Sequence, residues 1–257
     1  MQRIGLSVVF IRNQVKQTKN LHEMKKITFI AVAFLLTVSS TAFIYGQSTE
    51  KETRNLSGFT KVSFGVPGNL YIRFGSDYKV VLEGDKDFLA EIETEVSSGK
   101  LVIKKDSWNN FNNKKVVVNI TMPSLEGLGV SGSGQAEVID DLKTGELDLG
   151  VSGSGKLILN ELTAESIDCG ISGSGDVIIN GSGSAGKADI SISGSGSYSG
   201  ESLKIDLAEI SISGSGNCTC HVTGSLEAHV SGSGNVTYLG NPKVDARVSG
   251  SGRVKSR

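Results

Sequence analysis

Six carboxylates recur at one place in a repeated pattern. Asp148, Asp168, Asp189, Glu209, Glu227 and Asp245 each stand four residues before a Ser-Gly-Ser-Gly, and Gly127 holds that place in the first repeat. Carboxylates in series can gather a cation, divide acid and base roles on a glycosidic bond, or hydrogen-bond to sugar hydroxyls. Calcium asks for about six to eight oxygens of mixed type, and only carboxylates are evident here. The calcium-binding nonapeptide GGxGxDxUx is absent. A retaining glycosidase sets two carboxyl groups about 5 Å apart, but it also needs surroundings that push their two pKa values apart. Six near-equivalent residues offer no such division, so no catalytic residue is assigned. The plainest alternative is a solvated face that keeps neighbouring molecules from pairing laterally.

Two further groups invite chemistry. Cys218-Thr219-Cys220-His221 has metal-ligand residue types, but strand alternation sends both thiols to one face and His221 to the other. The thiols therefore read as small core residues and no metal is assigned. Cys169, Cys218 and Cys220 are also too few and too unevenly spaced for a disulfide framework. Trp108-Asn109-Asn110-Phe111-Asn112-Asn113, flanked by Lys104, Lys105, Lys114 and Lys115, is the one aromatic-rich loop. Aromatic rings among amides and cations suit stacking on a sugar; a lid over the end of the fold is the bland reading. Trp108 and Phe111 join the six carboxylates as candidate ligand-binding residues.

These residues need a scaffold, and the repeat supplies it. The tetrapeptide begins at Ser131, Ser152, Ser172, Ser193, Ser213, Ser231 and Ser249, at intervals of 18 to 21 residues. A fixed motif with a drifting period marks a solenoid whose turns vary while one corner does not. The residue before each first Ser is Val or Ile in all seven repeats, from Val130 to Val248. Two residues further back, and five residues after the first Ser, stand Leu, Ile, Val, Ala, Cys or Tyr. Apolar and polar positions alternate, which predicts half-buried strands on both sides of a glycine-permitted bend. One repeat cannot bury its apolar face alone, whereas a stack of seven buries a continuous column. Alternation predicts that both glycines of each SGSG point inward and that the serines face out. Arg253, Lys255 and Arg257 are expected to charge the last edge against pairing.

Residues 55–125 lack SGSG but also read as strands and turns. Leu70, Ile72 and Phe74 alternate, as do Val116, Val118 and Ile120, and a short helical turn is expected from Asp87 with that residue as its cap. Phe59-Thr60-Lys61-Val62, Val66-Pro67-Gly68-Asn69-Leu70-Tyr71-Ile72, Gly99-Lys100-Leu101-Val102-Ile103 and Met122-Pro123-Ser124-Leu125 lead into Val130-Ser131-Gly132-Ser133-Gly134. In this order the residues resemble the putative auto-transporter adhesin, head GIN domain family of secreted proteins, over nearly all of 55–257. The resemblance implies a β-helical fold and a surface or periplasmic setting. It implies no particular ligand.

Met24-Lys25-Lys26 followed by the apolar run from Ile27 to Ala42 reads as a secretory signal. Small Gly46 precedes the expected cut, making Gln47 the mature N-terminus; a cut after Ala42 or a retained anchor are the alternatives. Residues 1–23 sit awkwardly upstream and read as an over-extended start. The domain expectation is therefore 24–46 signal and 47–257 one domain, with 55–125 as amino-terminal strands and 126–257 as SGSG repeats. No transmembrane segment is expected after signal removal. Residues 1–46 hold six of the 26 Lys and Arg and one of the 27 Asp and Glu, leaving 20 against 26 and a net charge of −6 in the rest. That balance argues against nucleic acid, which asks for a clustered basic surface.

The expected fold is all-β: a right-handed parallel β-helix of seven SGSG coils with less regular amino-terminal coils, handedness following from the rule for parallel crossovers. The expected function is an exported, adhesin-like envelope module without cofactor, in the periplasm, on the outer surface or outside the cell, that binds a polysaccharide or other surface polymer. A passive structural element and a glycan-cleaving enzyme are the alternatives.

Overall fold

The computed structural model describes residues 49–105 and 114–257. The signal-peptide reading, the Gly46–Gln47 cut, Trp108 and Phe111 lie outside those residues. Among the described residues no helix is long and apolar enough to cross a membrane.

The fold is a stacked parallel β-solenoid. Its amino-terminal part contains β1 (Thr49–Arg54), β2 (Lys61–Phe64), β3 (Gly68–Phe74), β4 (Lys79–Asp85), helix α1 (Lys86–Ala90), β5 (Ile92–Ser97), β6 (Lys100–Lys105) and β7 (Val116–Met122). The repeats follow as β8 (Gly127–Gly132), β9 (Gln135–Val138), β10 (Leu142–Gly153), β11 (Lys156–Leu159), β12 (Leu162–Gly173), β13 (Asp176–Ile179) and β14 (Gly183–Gly194). The last strands are β15 (Ser197–Gly214), β16 (Asn217–Gly232), β17 (Asn235–Leu239), β18 (Lys243–Gly250) and β19 (Arg253–Ser256).

One side of the stack runs β6, β2, β8, β10, β12, β14, β15, β16, β18, every neighbour parallel. The SGSG corners stay in register, with Ser131, Ser152, Ser172, Ser193, Ser213, Ser231 and Ser249 paired in sequence, while β15 and β16 shift register between Gly200 and Leu207. A second side stacks β7, β3, β9, β11, β13 and the first residues of β15 and β16, then β17 and β19. Chain order and spatial order part company at the amino-terminal end. The β2–β3 coil lies between the β6–β7 coil and the β8–β9 coil, so the chain builds its second layer before its first.

Val130, Val151, Ile171, Ile192, Ile212 and Val230 are each 2 % exposed, the inward column that the sequence pattern requires. Branched side chains at one-coil spacing leave little room for voids, and their burial is the main stabilising term.

The SGSG corner differs from expectation. Only its second glycine packs inward: Gly155, Gly175, Gly196, Gly216 and Gly234 are buried. A Cβ on Gly234 would stand 2.6 Å from both the Gly216 carbonyl oxygen and Ile212 Cγ2. The first glycine is partly or fully exposed and takes a positive φ in all seven corners, from 82° at Gly132 to 124° at Gly250. A strand that must turn cannot continue its alternation through the turn, and L-residues with side chains rarely occupy that backbone region. The helical turn is also shifted. Its cap is Asp85, whose carboxylate accepts the Phe88 N–H at 3.1 Å, while Asp87 sits in the first turn and Ile92–Ser97 is strand.

Candidate functional site

The long strands present three outward columns on one side of the stack. In the first, Asp148, Asp168, Asp189, Glu209, Glu227 and Asp245 lie in consecutive register, with Gly127 and then Lys61 beneath them. The structure therefore brings together all six carboxylates singled out in the sequence. Parallel strands repeat at about 4.8 Å, a distance at which neighbouring unit charges in water repel by about 1 kcal/mol.

Basic side chains stand against the ladder at its two ends. Lys61 Nζ lies 2.5 Å from Asp148, at the amino-terminal end. This bond and the Asp148 charge, with smaller help from Glu126 and Glu146, raise the Lys61 pKa above the ordinary lysine value. At the other end His229 Nε2 stands 3.0 Å from Glu227, and Arg247 stands 3.9 Å from Asp245. Among the described residues no ion pair reaches Asp168, Asp189 or Glu209.

The second column is made of small residues: Ser63, Gly129, Gly150, Gly170, Ser191 and Ser211, ending in His229 and Arg247. The third is the ladder of first serines from the SGSG corners. Between these two the surface sinks into an open groove of about 1010 Å³ running along the stack from Ser63 to Ser249. Its floor is low because glycine and serine place almost nothing above the main chain; a Cβ on Gly150 or Gly170 would meet no atom within 4 Å. Sequence reasoning missed this groove. The signal was present in the residue two before each first Ser, which is Gly or Ser in five repeats running.

The inward thiols take no part in this surface. Cys169, Cys218 and Cys220 are buried and unbonded to one another by disulfides. Burial, with the Asp168 charge, pushes the Cys169 thiol up to about 12, and a hydrogen bond with Cys220 together with burial raises Cys218. Such thiols stay protonated and are poor nucleophiles. Among the described residues no group of three or more His, Cys, Asp or Glu is arranged to hold a metal ion. The ladder carboxylates are chemically alike and face solvent, which gives no basis for separate acid and base roles.

A parallel β-solenoid carrying repeated ladders on one long face defines the class of protein. Residues 58–242 match the model of the putative auto-transporter adhesin, head GIN domain, and the chain belongs to that family. Among solved structures, a protein from Bacteroides fragilis described as a putative adhesin shares 26 % identity, covers 82 % of this chain and 98 % of its own, and superposes with a TM-score of 0.75. A putative adhesin from Parabacteroides distasonis is similar at 24 % identity, 82 % and 98 % coverage and a TM-score of 0.65. A further protein from that species, described as a putative lipid binding protein, shares the fold at 20 % identity, 81 % and 96 % coverage and a TM-score of 0.63. No curated protein matches the sequence. The family and two of these three neighbours bear adhesin names, and the chain is an adhesin-like module.

Proposed function

We propose that the protein is exported through its 24–46 signal and binds an extended, uncharged polymer, a glycan first of all, along the groove beside the acidic ladder. The observation that carries this reading is the register: the carboxylate, small-residue and serine columns run side by side through consecutive coils. Each level offers a similar set of acceptors and hydroxyls about 4.8 Å above the last. A polymer can meet many such weak contacts at once, and their gain comes through effective concentration rather than one deep pocket. The unpaired charges of Asp168, Asp189 and Glu209 disfavour anionic chains, while carboxylates serve as strong acceptors for sugar hydroxyls. Trp108 and Phe111 would add a stacking contact.

Titration of the purified protein with a length series of neutral oligosaccharides tests the reading. Affinity should climb with each added sugar until the groove is filled. Filling the floor with Gly170→Gln should weaken binding while leaving the melting temperature in place, and Trp108→Ala should weaken it less. A monosaccharide bound as tightly as its oligomers, or no saturable binding to any envelope or host glycan, would leave a passive structural element as the better account.

A further inference from the structure

The two ends of the stack are finished differently. At the amino-terminal end, β5 pairs antiparallel with β6, β4 pairs antiparallel with β7, and β1 pairs antiparallel with β4. Helix α1 adds buried Phe88 and Leu89 over the same end. At the other end β18 is registered against β16 alone, and every residue of the strand is exposed. Val244, Ala246 and Val248 occupy the positions that one coil earlier bury Leu226, Ala228 and Val230. Among the described residues three large apolar side chains are exposed; two of them, Val244 at 38 % and Val248 at 43 %, are on this strand.

The free main-chain groups of β18 can be assigned. On β10 the Asp148 N–H donates to the Glu126 carbonyl of the coil beneath, at 2.9 Å. Parallel register carries this direction up the ladder to Asp245. Asp245 and Arg247 therefore bond toward β16, and Val244, Ala246 and Val248 direct their N–H and C=O groups to the open edge.

We propose that β18 is a self-association edge, pairing antiparallel with β18 of a second copy about a two-fold axis at Ala246. The segment Val244-Asp245-Ala246-Arg247-Val248 is complementary to itself when reversed. In this register Ala246 faces its own copy, Val244 faces Val248 of the second copy, and Asp245 faces Arg247 of the second copy. The residues placed in hydrogen-bonded pairs are the three with free main-chain groups. Apolar and opposite-charge cross-strand pairs both favour the pairing. Sliding to the next allowed register sets Asp245 against Asp245 or Arg247 against Arg247, so charge selects one alignment. Arg253 and Lys255 lie on β19, on the other side of the stack from β18, and Arg257 is ion-paired with Glu201. Because β18 meets β18 of the second copy, the contact is isologous and yields a dimer rather than a fibre.

Sedimentation velocity on the purified chain across the micromolar range tests this. A reversible monomer–dimer equilibrium is expected. Asp245→Arg should weaken it by about tenfold or more, since like charges opposed across an interface are strongly disfavoured. The exchanged variant Asp245→Arg/Arg247→Asp should restore it, because the opposing pairs are regenerated. Ala246→Pro removes the N–H at the axis without touching the bonds to β16, and proline is tolerated on an edge whose N–H faces outward. It should leave a monomer with an unchanged circular-dichroism spectrum. A monomer at all concentrations, or association that ignores both the charge reversal and its exchange, would overturn the proposal.

Discussion

The amino-terminal coils and the SGSG coils solve the same packing problem with different residues. In the first region Phe59, Phe64, Leu70, Phe88 and Met122 fill the interior. Phe59 meets Tyr78 at 4.8 Å between ring centroids, and Tyr78 Oη donates to the Phe59 carbonyl at 3.1 Å. In the second region the interior is almost wholly branched aliphatics, alanine and cysteine. A repeated coil meets the same neighbour above and below, so one small β-branched residue per level suffices. The amino-terminal end of the stack has a neighbour on one side only, and it is covered by residues that fit nowhere else. Regularity in the middle therefore depends on irregularity at an end.

The sharpest way to break the repeat region is to charge its column. Ile192→Asp would bury a carboxylate with no partner among branched aliphatics, at a cost of several kcal/mol, comparable with the whole stability of an ordinary domain. Loss of cooperative thermal unfolding is expected. Asp189→Asn, three residues away on the outer face, should move the melting temperature little. Equal damage from the two would reverse the inside and outside assignments.

The corner gives the next effect. Gly234→Ala forces its methyl to 2.6 Å from two atoms of the coil beneath, and relief must come from the main chain of both coils. A loss of about 3 kcal/mol or somewhat more is expected in urea titration, near the upper range for overpacking. Gly170→Ala on the groove floor meets nothing within 4 Å and should be close to neutral. This pair separates glycines that the stack requires from glycines that leave the groove open.

Much of this architecture was legible in the sequence because strand alternation and one-coil spacing are both short-range rules. The seven-residue ladder from Val130 to Val248 and the six carboxylates needed nothing beyond counting. The corner was misread because alternation was carried through Gly153 and its equivalents, where the backbone turns to positive φ and the rule lapses. The helix cap was placed at Asp87 rather than Asp85 because both are acidic and only geometry decides which carboxylate reaches the Phe88 N–H. The position of the β6–β7 coil outside the β2–β3 coil depends on pairings distant along the chain, which no local pattern records. The groove escaped notice because its floor is defined by the smallness of Gly150, Gly170 and Ser191, and an absence of side chain reads in sequence as linker.

The two ends can be compared by truncation. Phe88, 3 % exposed, closes the amino-terminal end, and Phe88→Ala should cost about 3 to 5 kcal/mol, as for other buried phenylalanines. Val248 at the open end is 43 % exposed, and Val248→Ala should cost about 0.5 kcal/mol or less in the monomer. Chemical denaturation of both variants at low protein concentration makes the comparison. Similar costs would mean that the open end is covered in solution.

The smallest effect concerns Tyr198, the one fully buried aromatic of the repeats. It is 1 % exposed, and its hydroxyl has no hydrogen-bond partner. Gly200 makes room for it: a Cβ there would stand 2.8 Å from Tyr198 Oη. Burial holds the phenol well above its ordinary pKa, with Cys169, Cys218 and Cys220 adding to the shift, so it remains neutral over any working pH. A buried hydroxyl left unpaired carries a desolvation cost of about 1 to 3 kcal/mol. Tyr198→Phe removes that cost and leaves a void no larger than one oxygen, whose lost packing contacts offset part of the gain. The expected result is a change between zero and about 1 kcal/mol toward greater stability, read as a higher urea midpoint at unchanged slope. A destabilised variant would show that the hydroxyl has a partner, with the sulfurs of the neighbouring cysteines the first to examine, and would make the SGSG interior less uniformly apolar than its sequence pattern.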